Sequence, residues 1–201
     1  LKTSLNLSSS EFLSRYTTRH TGPQSGLPVV SLKPEKSALM RCPFVTPSGC
    51  SVYDNRPSSC RTYPLARIVS RDRISGKLTE RFMLIEEPHC KGFETTYTQS
   101  VEQWIDSQEL AAYNDMNDRF LEILSVKNQR FPGPLDLSTT EKFIMACYDI
   151  DRFRKEVFDK GLLASTKFPE ELLKDAVKDD TALLHIGFIW VNHTLFSNAS
   201  A

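Results

Sequence analysis

Residues 41–64 constrain this chain more than any other stretch. Three of its five cysteines (Cys42, Cys50, Cys60) and four prolines (Pro43, Pro47, Pro57, Pro64) fall there, and no long helical period runs through them. Each proline fixes φ and removes a backbone donor, so neither a long helix nor a central strand fits. A segment of this kind folds as loops, held by something other than its own apolar burial.

The flanking text supplies regular elements. Ser8 and Glu11 have capping-box spacing, and Phe12, Leu13 and Tyr16 give the following helix an apolar face that is expected to run until Gly22-Pro23. The residues before Ser8 read as the inside of a helical segment. Leu27–Leu32 suits a strand. Leu65–Arg71 and Leu78–Glu86 read as a hairpin around the turn at 72–77. Beyond Gly92, apolar residues from Val101 to Leu124 recur at helical steps. Ser138 to Glu141 is a second capping box, and Phe143, Ala146, Cys147, Ile150 and Val157 form one helical stripe ending at Gly161. Pro169 suits the first position of a helix over Glu170–Lys178, and Ala182–Phe196 a buried closing helix. The polar tail at 197–201 is expected to fray. The predicted fold is α+β: a loop-rich, cysteine-bearing region at 1–95 with a small antiparallel hairpin, packed as one unit with a helical region at 96–201.

Charge narrows the function. With 25 basic and 25 acidic side chains the formal net charge is zero, which gives no electrostatic footprint for nucleic acid. The longest apolar run, Ala182 to Val191, is about half of the ~20 residues a membrane span needs. A soluble chain that binds neither nucleic acid nor membrane is expected.

The first four cysteines form Cys-x7-Cys-x9-Cys-x29-Cys, each beside a turn-forming residue (Pro43, Gly49, Pro57, Gly92), whereas Cys147 lies on an apolar helix face as a small hydrophobe. Three explanations stand for the four. Two disulfides would suit an exported protein, with nominal sequons at Asn6, Asn192 and Asn198, although a chain of this length has core enough without staples. Four unrelated buried thiols are the second. Metal ligation is the third, since four thiolates make a soft, closed site for zinc or an iron–sulfur cluster. Spacing alone does not decide, because zinc fingers pair ligands two to four residues apart.

The surrounding residues add to this. Cys42-Pro43-Phe44, Gly49-Cys50-Ser51-Val52-Tyr53, Arg56-Pro57-Ser58-Ser59-Cys60-Arg61-Thr62-Tyr63-Pro64 and Cys90-Lys91-Gly92 together resemble the YkgJ-like cysteine-cluster family, described as a zinc- or iron-chelating domain. The resemblance spans roughly Leu1 to Gly92, and Arg-Pro-x-x-Cys-Arg is its most specific part. It implies that Cys42, Cys50, Cys60 and Cys90 are metal ligands that converge in space, with Cys147 apart. The family's tight Cys-x-x-Cys-x-x-Cys-Cys run does not occur in this sequence. Because the chain opens at Leu1 rather than Met, further ligands are expected just upstream.

Around such a site, the fixed charge of Arg56 and Arg61 would offset the thiolates, or pair on the surface with Asp54, Glu86 or Glu87. Tyr53 and Tyr63 would pack round the cluster, and His89 is disfavoured as a substitute for the Cys90 thiolate because adjacent residues of an extended segment rarely point the same way. Pro57 is placed to open a short helix. Acidic pairs such as Asp149/Asp151 read as solvated faces. No nucleophile elbow, Walker loop or dinucleotide fingerprint is present, so no catalytic residue is nominated. The leading expectation is a bacterial, cytoplasmic iron–sulfur or zinc protein. Its rivals are an iron–sulfur enzyme related to flagellin lysine N-methylases, and a structural zinc module serving a protein partner.

Overall fold

Ser8 starts the first regular element by the reciprocal pairing its sequence predicts. Its hydroxyl accepts from the Glu11 amide at 3.3 Å, and the Glu11 carboxylate accepts from the Ser8 amide at 2.9 Å. In the computed structural model, which describes residues 1–36, 40–72, 74–164 and 167–197, this helix is α1 (Ser9–Tyr16). The residues before it form turns rather than helix: the Leu5 amide donates to the Leu1 carbonyl and Asn6 sits at φ 52°. Arg73 in the expected hairpin turn, Asn198 in the third sequon, and most of the polar tail lie outside the described residues.

The chain divides into two compact units, Leu1–Tyr53 with Glu122–Ala201, and Asp54–Leu121. The expected boundary after residue 95 falls inside the second. Small antiparallel strand pairs and eight α-helices among the described residues make the fold α+β.

In the first unit α1 stops at Tyr16, short of the Gly22-Pro23 stop expected for it. Thr17–Thr21 forms β1, paired with β2 (Pro28–Leu32) from Thr17↔Leu32 to Thr21↔Pro28. β-Branched threonines favour extended backbone, and the Thr17 hydroxyl donates to the Leu13 carbonyl at 2.6 Å, closing the helix. A two-residue-per-strand hairpin follows, β3 (Val45–Thr46) with β4 (Gly49–Cys50).

The stripe read as one helix is two. α5 (Leu137–Cys147) and α6 (Ile150–Phe158) are separated at Tyr148 and Asp149, whose dihedrals are not helical. Asp149 is buried and accepts from the Ser9 and Ser10 hydroxyls at 2.5 and 2.8 Å, so it is no solvated carboxylate. Asp151 and Ser9 then cap each other's helices. The Ser9 amide donates to Asp151 Oδ2 at 2.7 Å, and the Asp151 amide donates to Ser9 Oγ at 2.9 Å. The cap of α5 is Asp136, two residues before the expected Ser138, because its carboxylate takes both the Thr139 amide and its hydroxyl. After Gly161 (φ 70°) come α7 (Glu170–Ala176), which follows Pro169, and α8 (Asp180–Trp190), prolonged by a π-helical turn over Val191–Leu195.

Phe143, Ala146, Phe153, Leu183, Ile186, Val191 and Phe196 are fully buried and form this unit's core. α5 and α8 approach so closely that a Cβ on Gly187 would collide with the Ala146 carbonyl. Cations finish the loops. Lys127, wholly buried, donates through Nζ to the Ser25 and Gly133 carbonyls. Arg154 donates to the Ala176 and Val177 carbonyls, and Arg130 to those of Phe196 and Ser197.

The second unit holds α2 (Ser58–Thr62), the hairpin of β5 (Leu65–Arg71) and β6 (Leu78–Leu84), and α3 (Val101–Ser107). It also holds the first part of α4 (Ala111–Arg130). The hairpin register runs from Leu65↔Leu84 to Arg71↔Leu78. Asp72 organises its turn by accepting from the Ile74 and Ser75 amides at 3.1 and 2.7 Å. Arg67 clamps Asp118 of α4 with two bonds of 2.7 and 2.9 Å, and Trp104 Nε1 donates to the Thr62 carbonyl at 3.1 Å. α3 and α4 part at Glu109, where φ is 53°.

The α5–α8 contact is the sharpest stability test. Gly187→Ala should cost more than ~2 kcal/mol, because helix backbone must shift to admit the methyl. Lys127→Met, which keeps the stem but abandons two carbonyls, should cost about 1–3 kcal/mol. Urea unfolding of the purified variants measures both.

Candidate metal centre

The four cysteines expected as ligands fall two to each unit. Cys42 lies three residues before β3, and Cys50 ends β4. The Cys42 carbonyl accepts from the Val45 amide at 3.1 Å, and Cys50 lies in register with Val45. Gly49, at φ 115°, supplies the turn that a side chain would resist. Phe44 anchors the hairpin: it is buried, meets the Tyr16 ring at 5.1 Å between centroids, and its carbonyl accepts from the Ser51 amide at 2.8 Å. Both cysteines are half-buried.

Cys60 and Cys90 belong to the second unit. Pro57 does open a short helix, and Cys60 sits in α2 with its side chain exposed. Cys90 lies in a turn, its amide donating to the Glu87 carbonyl at 2.9 Å, and it precedes a 3₁₀ turn over Lys91–Glu94. It is half-buried, with Gly92 so close that an added Cβ would touch Sγ at 3.6 Å.

Tyr63 joins these two pieces of chain. Its ring lies parallel to that of His89, with centroids 6.2 Å apart and 6° between planes. His89 in turn contacts Glu87 at 3.4 Å. The Tyr63 hydroxyl is shut off from solvent and makes no hydrogen bond of ordinary geometry among the described residues. Its pKa is raised, first by burial and then by the neighbouring Cys90 thiol and Glu87 carboxylate. Leaving a hydroxyl buried and unpaired costs about 1–3 kcal/mol.

Arg61 is the buried cation of this unit. It donates from Nε to the Arg56 carbonyl at 3.2 Å, from Nη1 to the Gln108 carbonyl at 3.0 Å, and from Nη2 to the Asp54 carbonyl. Its guanidinium carbon lies 5.5 Å from the Tyr113 ring centroid. The carboxylate it meets is Glu109 at 3.4 Å, rather than Asp54, Glu86 or Glu87, and Glu109 is so exposed that the pair adds little. Arg56 donates to Gln108 Oε1 at 3.1 Å. Tyr53, in the 3₁₀ turn Tyr53–Asn55, is exposed.

Cys147 ends α5, where burial pushes its thiol pKa up and keeps it neutral. None of the five cysteines is in a disulfide among the described residues. Nor, among those residues, do three His, Cys, Asp or Glu side chains gather as a metal site. The donor chemistry does suit zinc or iron. It comprises four soft sulfurs carried on a hairpin, a short helix and a turn.

Residues 6–91 match the model of the CxxCxxCC family, described as a putative zinc- or iron-chelating domain. The family resemblance read from the sequence holds over this stretch. The match takes in Cys42, Cys50, Cys60 and Cys90 and leaves Cys147 outside. No curated protein and no solved structure matches the chain.

Arg61→Ala would strand three carbonyls and empty the space under Tyr113. A loss of about 2–4 kcal/mol is expected, with Arg61→Lys recovering only part of it, since one ammonium cannot span the fork. Guanidinium denaturation followed by Trp104 fluorescence, in a Trp190→Phe background, reads this unit.

Proposed function

We propose that this chain chelates zinc or iron, as a zinc site or an iron–sulfur cluster, through the thiolates of Cys42, Cys50, Cys60 and Cys90. The observation that carries the reading is the family match over residues 6–91, which contains all four cysteines. Two features support it. Cys42, Cys50 and Cys90 are only half-buried and Cys60 is exposed, each within or beside a turn, hairpin or short helix rather than in an apolar core. Cys147, by contrast, sits in a setting that keeps a thiol protonated. A bound zinc would cross-link the loops, and a bound iron–sulfur cluster would add an electron-transfer centre. Because ligation needs reduced sulfur, a cytoplasmic location accompanies this reading.

Protein purified without oxygen should carry zinc or iron by elemental analysis. A brown chromophore would mark iron–sulfur, and colourless stoichiometric zinc a structural site. Changing Cys42, Cys50, Cys60 or Cys90 to Ser should each lower the metal content. Cys147→Ala should leave it unchanged while costing ~1 kcal/mol of packing. Disulfides among the four in freshly alkylated protein, or metal loss on changing Cys147 alone, would overturn the assignment.

A further inference from the structure

Asp149 is the one buried carboxylate among the described residues, 6% exposed, and none of their cations pairs with it. Its neighbours in the same unit are matched. Lys2 meets Asp151 at 2.6 Å and Asp180 at 3.0 Å, and Arg154 meets Asp180 at 2.5 Å. Asp149 has hydroxyls instead. Ser9 and Ser10 bring two protons to a group with about four acceptor positions. Although it stands at the N-cap of α6, its side chain makes no capping bond, so the rest of that capacity is unused.

Asp149 lines an open cleft of about 640 Å³ with Ser10, Leu13 and Ser14 of α1, Arg19 of β1 and Arg152 of α6. All of these belong to the first unit. Arg152 is exposed and makes neither an ion pair nor a hydrogen bond with the described residues. Arg19 meets Glu141 at 3.2 Å, and both side chains are exposed, so that contact holds it weakly. One cleft thus has an unmatched carboxylate at its buried side and guanidinium groups at its open side.

Asp149 would repel a simple anion there, and the arginines a simple cation. A molecule carrying both an ammonium and a carboxylate satisfies both ends. The ammonium donates to Asp149 and to the Ser10 oxygen, while the carboxylate accepts from the guanidinium groups and the Ser14 hydroxyl. In an α-amino acid these charges are one carbon apart. Asp149 and Arg152 flank the first turn of α6, where positions three apart bring Cβ atoms to within ~5–6 Å. We infer that this cleft binds a free α-amino acid, its ammonium on Asp149 and its carboxylate on Arg152 and Arg19. The inference is independent of the chelation reading, since no cysteine among the described residues lines the cleft.

The test uses the whole chain. The standard L-amino acids are screened by melting temperature, because a ligand held only by the folded state raises it. The strongest is titrated calorimetrically beside its N-acetyl derivative, which lacks the ammonium, and its primary amide, which lacks the carboxylate. Each derivative should bind roughly 10-fold or more weakly, the scale of one charge-assisted hydrogen bond. Arg152→Gln, at a side chain with no partner to lose, should melt with the parent when unliganded. It should weaken the free amino acid roughly 10-fold and leave the amide's affinity unchanged. Asp149→Asn, which still accepts from Ser9 and Ser10, should erase the preference for the free amine over the N-acetyl form. If that variant melts too low to titrate, the parent's own ranking of those two ligands decides the same point. Failure of every amino acid to raise the melting temperature would overturn the inference. So would equal binding of the free acid and its amide, equal binding of the free amine and its N-acetyl form, or a loss in Arg152→Gln that is the same for acid and amide.

Discussion

Loops and helix ends leave carbonyl oxygens with no ladder to satisfy them, and in this protein long cationic side chains meet that need. Lys127 takes the carbonyls of Ser25 and Gly133, Arg154 those of Ala176 and Val177, and Arg130 those of Phe196 and Ser197. In the second unit Arg61 does the same for Asp54, Arg56 and Gln108. A cation on neutral carbonyls is less sensitive to salt than a surface ion pair, and it directs the backbone rather than another side chain. The irregular stretches around residues 22–27 and 54–63 take their shape from these contacts.

The elements legible in the sequence were those set by near neighbours. Ser8 and Glu11 cap α1 three residues apart, and the β5–β6 hairpin is specified by strand composition and by Asp72 folding back on its own turn. The break between α5 and α6 was not legible. Apolar positions from Phe143 to Val157 keep helical steps straight through it, while Asp149 is drawn out of the helix by serines about 140 residues earlier in the chain. Periodicity carries no trace of such a partner. At the start of α5 two residues, Asp136 and Ser138, both suit a cap. The carboxylate prevails by accepting twice from Thr139. α1 ends before its local sequence requires, because Thr17–Thr21 pairs with a strand whose register only the fold supplies.

For the candidate site, the loop setting of four cysteines and the helical setting of the fifth were readable from prolines, glycines and apolar spacing, and the family match covers the same four. The surroundings were less so. Arg61 looked like a charge beside Cys60, whereas its buried guanidinium is engaged by carbonyls from residues 54, 56 and 108. The stacking of Tyr63 on His89 brings together positions 26 apart, and no local pattern announces it.

Lys127 has a chemical consequence of its own. Its ammonium is enclosed, tied to two carbonyls, and held by burial below the ordinary lysine pKa. Amine-acylating reagents cannot reach it while the Ser25 and Gly133 loops are closed over it. Its labelling rate is therefore set by how often that corner opens, so one residue acts as a built-in gauge of local unfolding, read peptide by peptide against the exposed lysines of the same molecule.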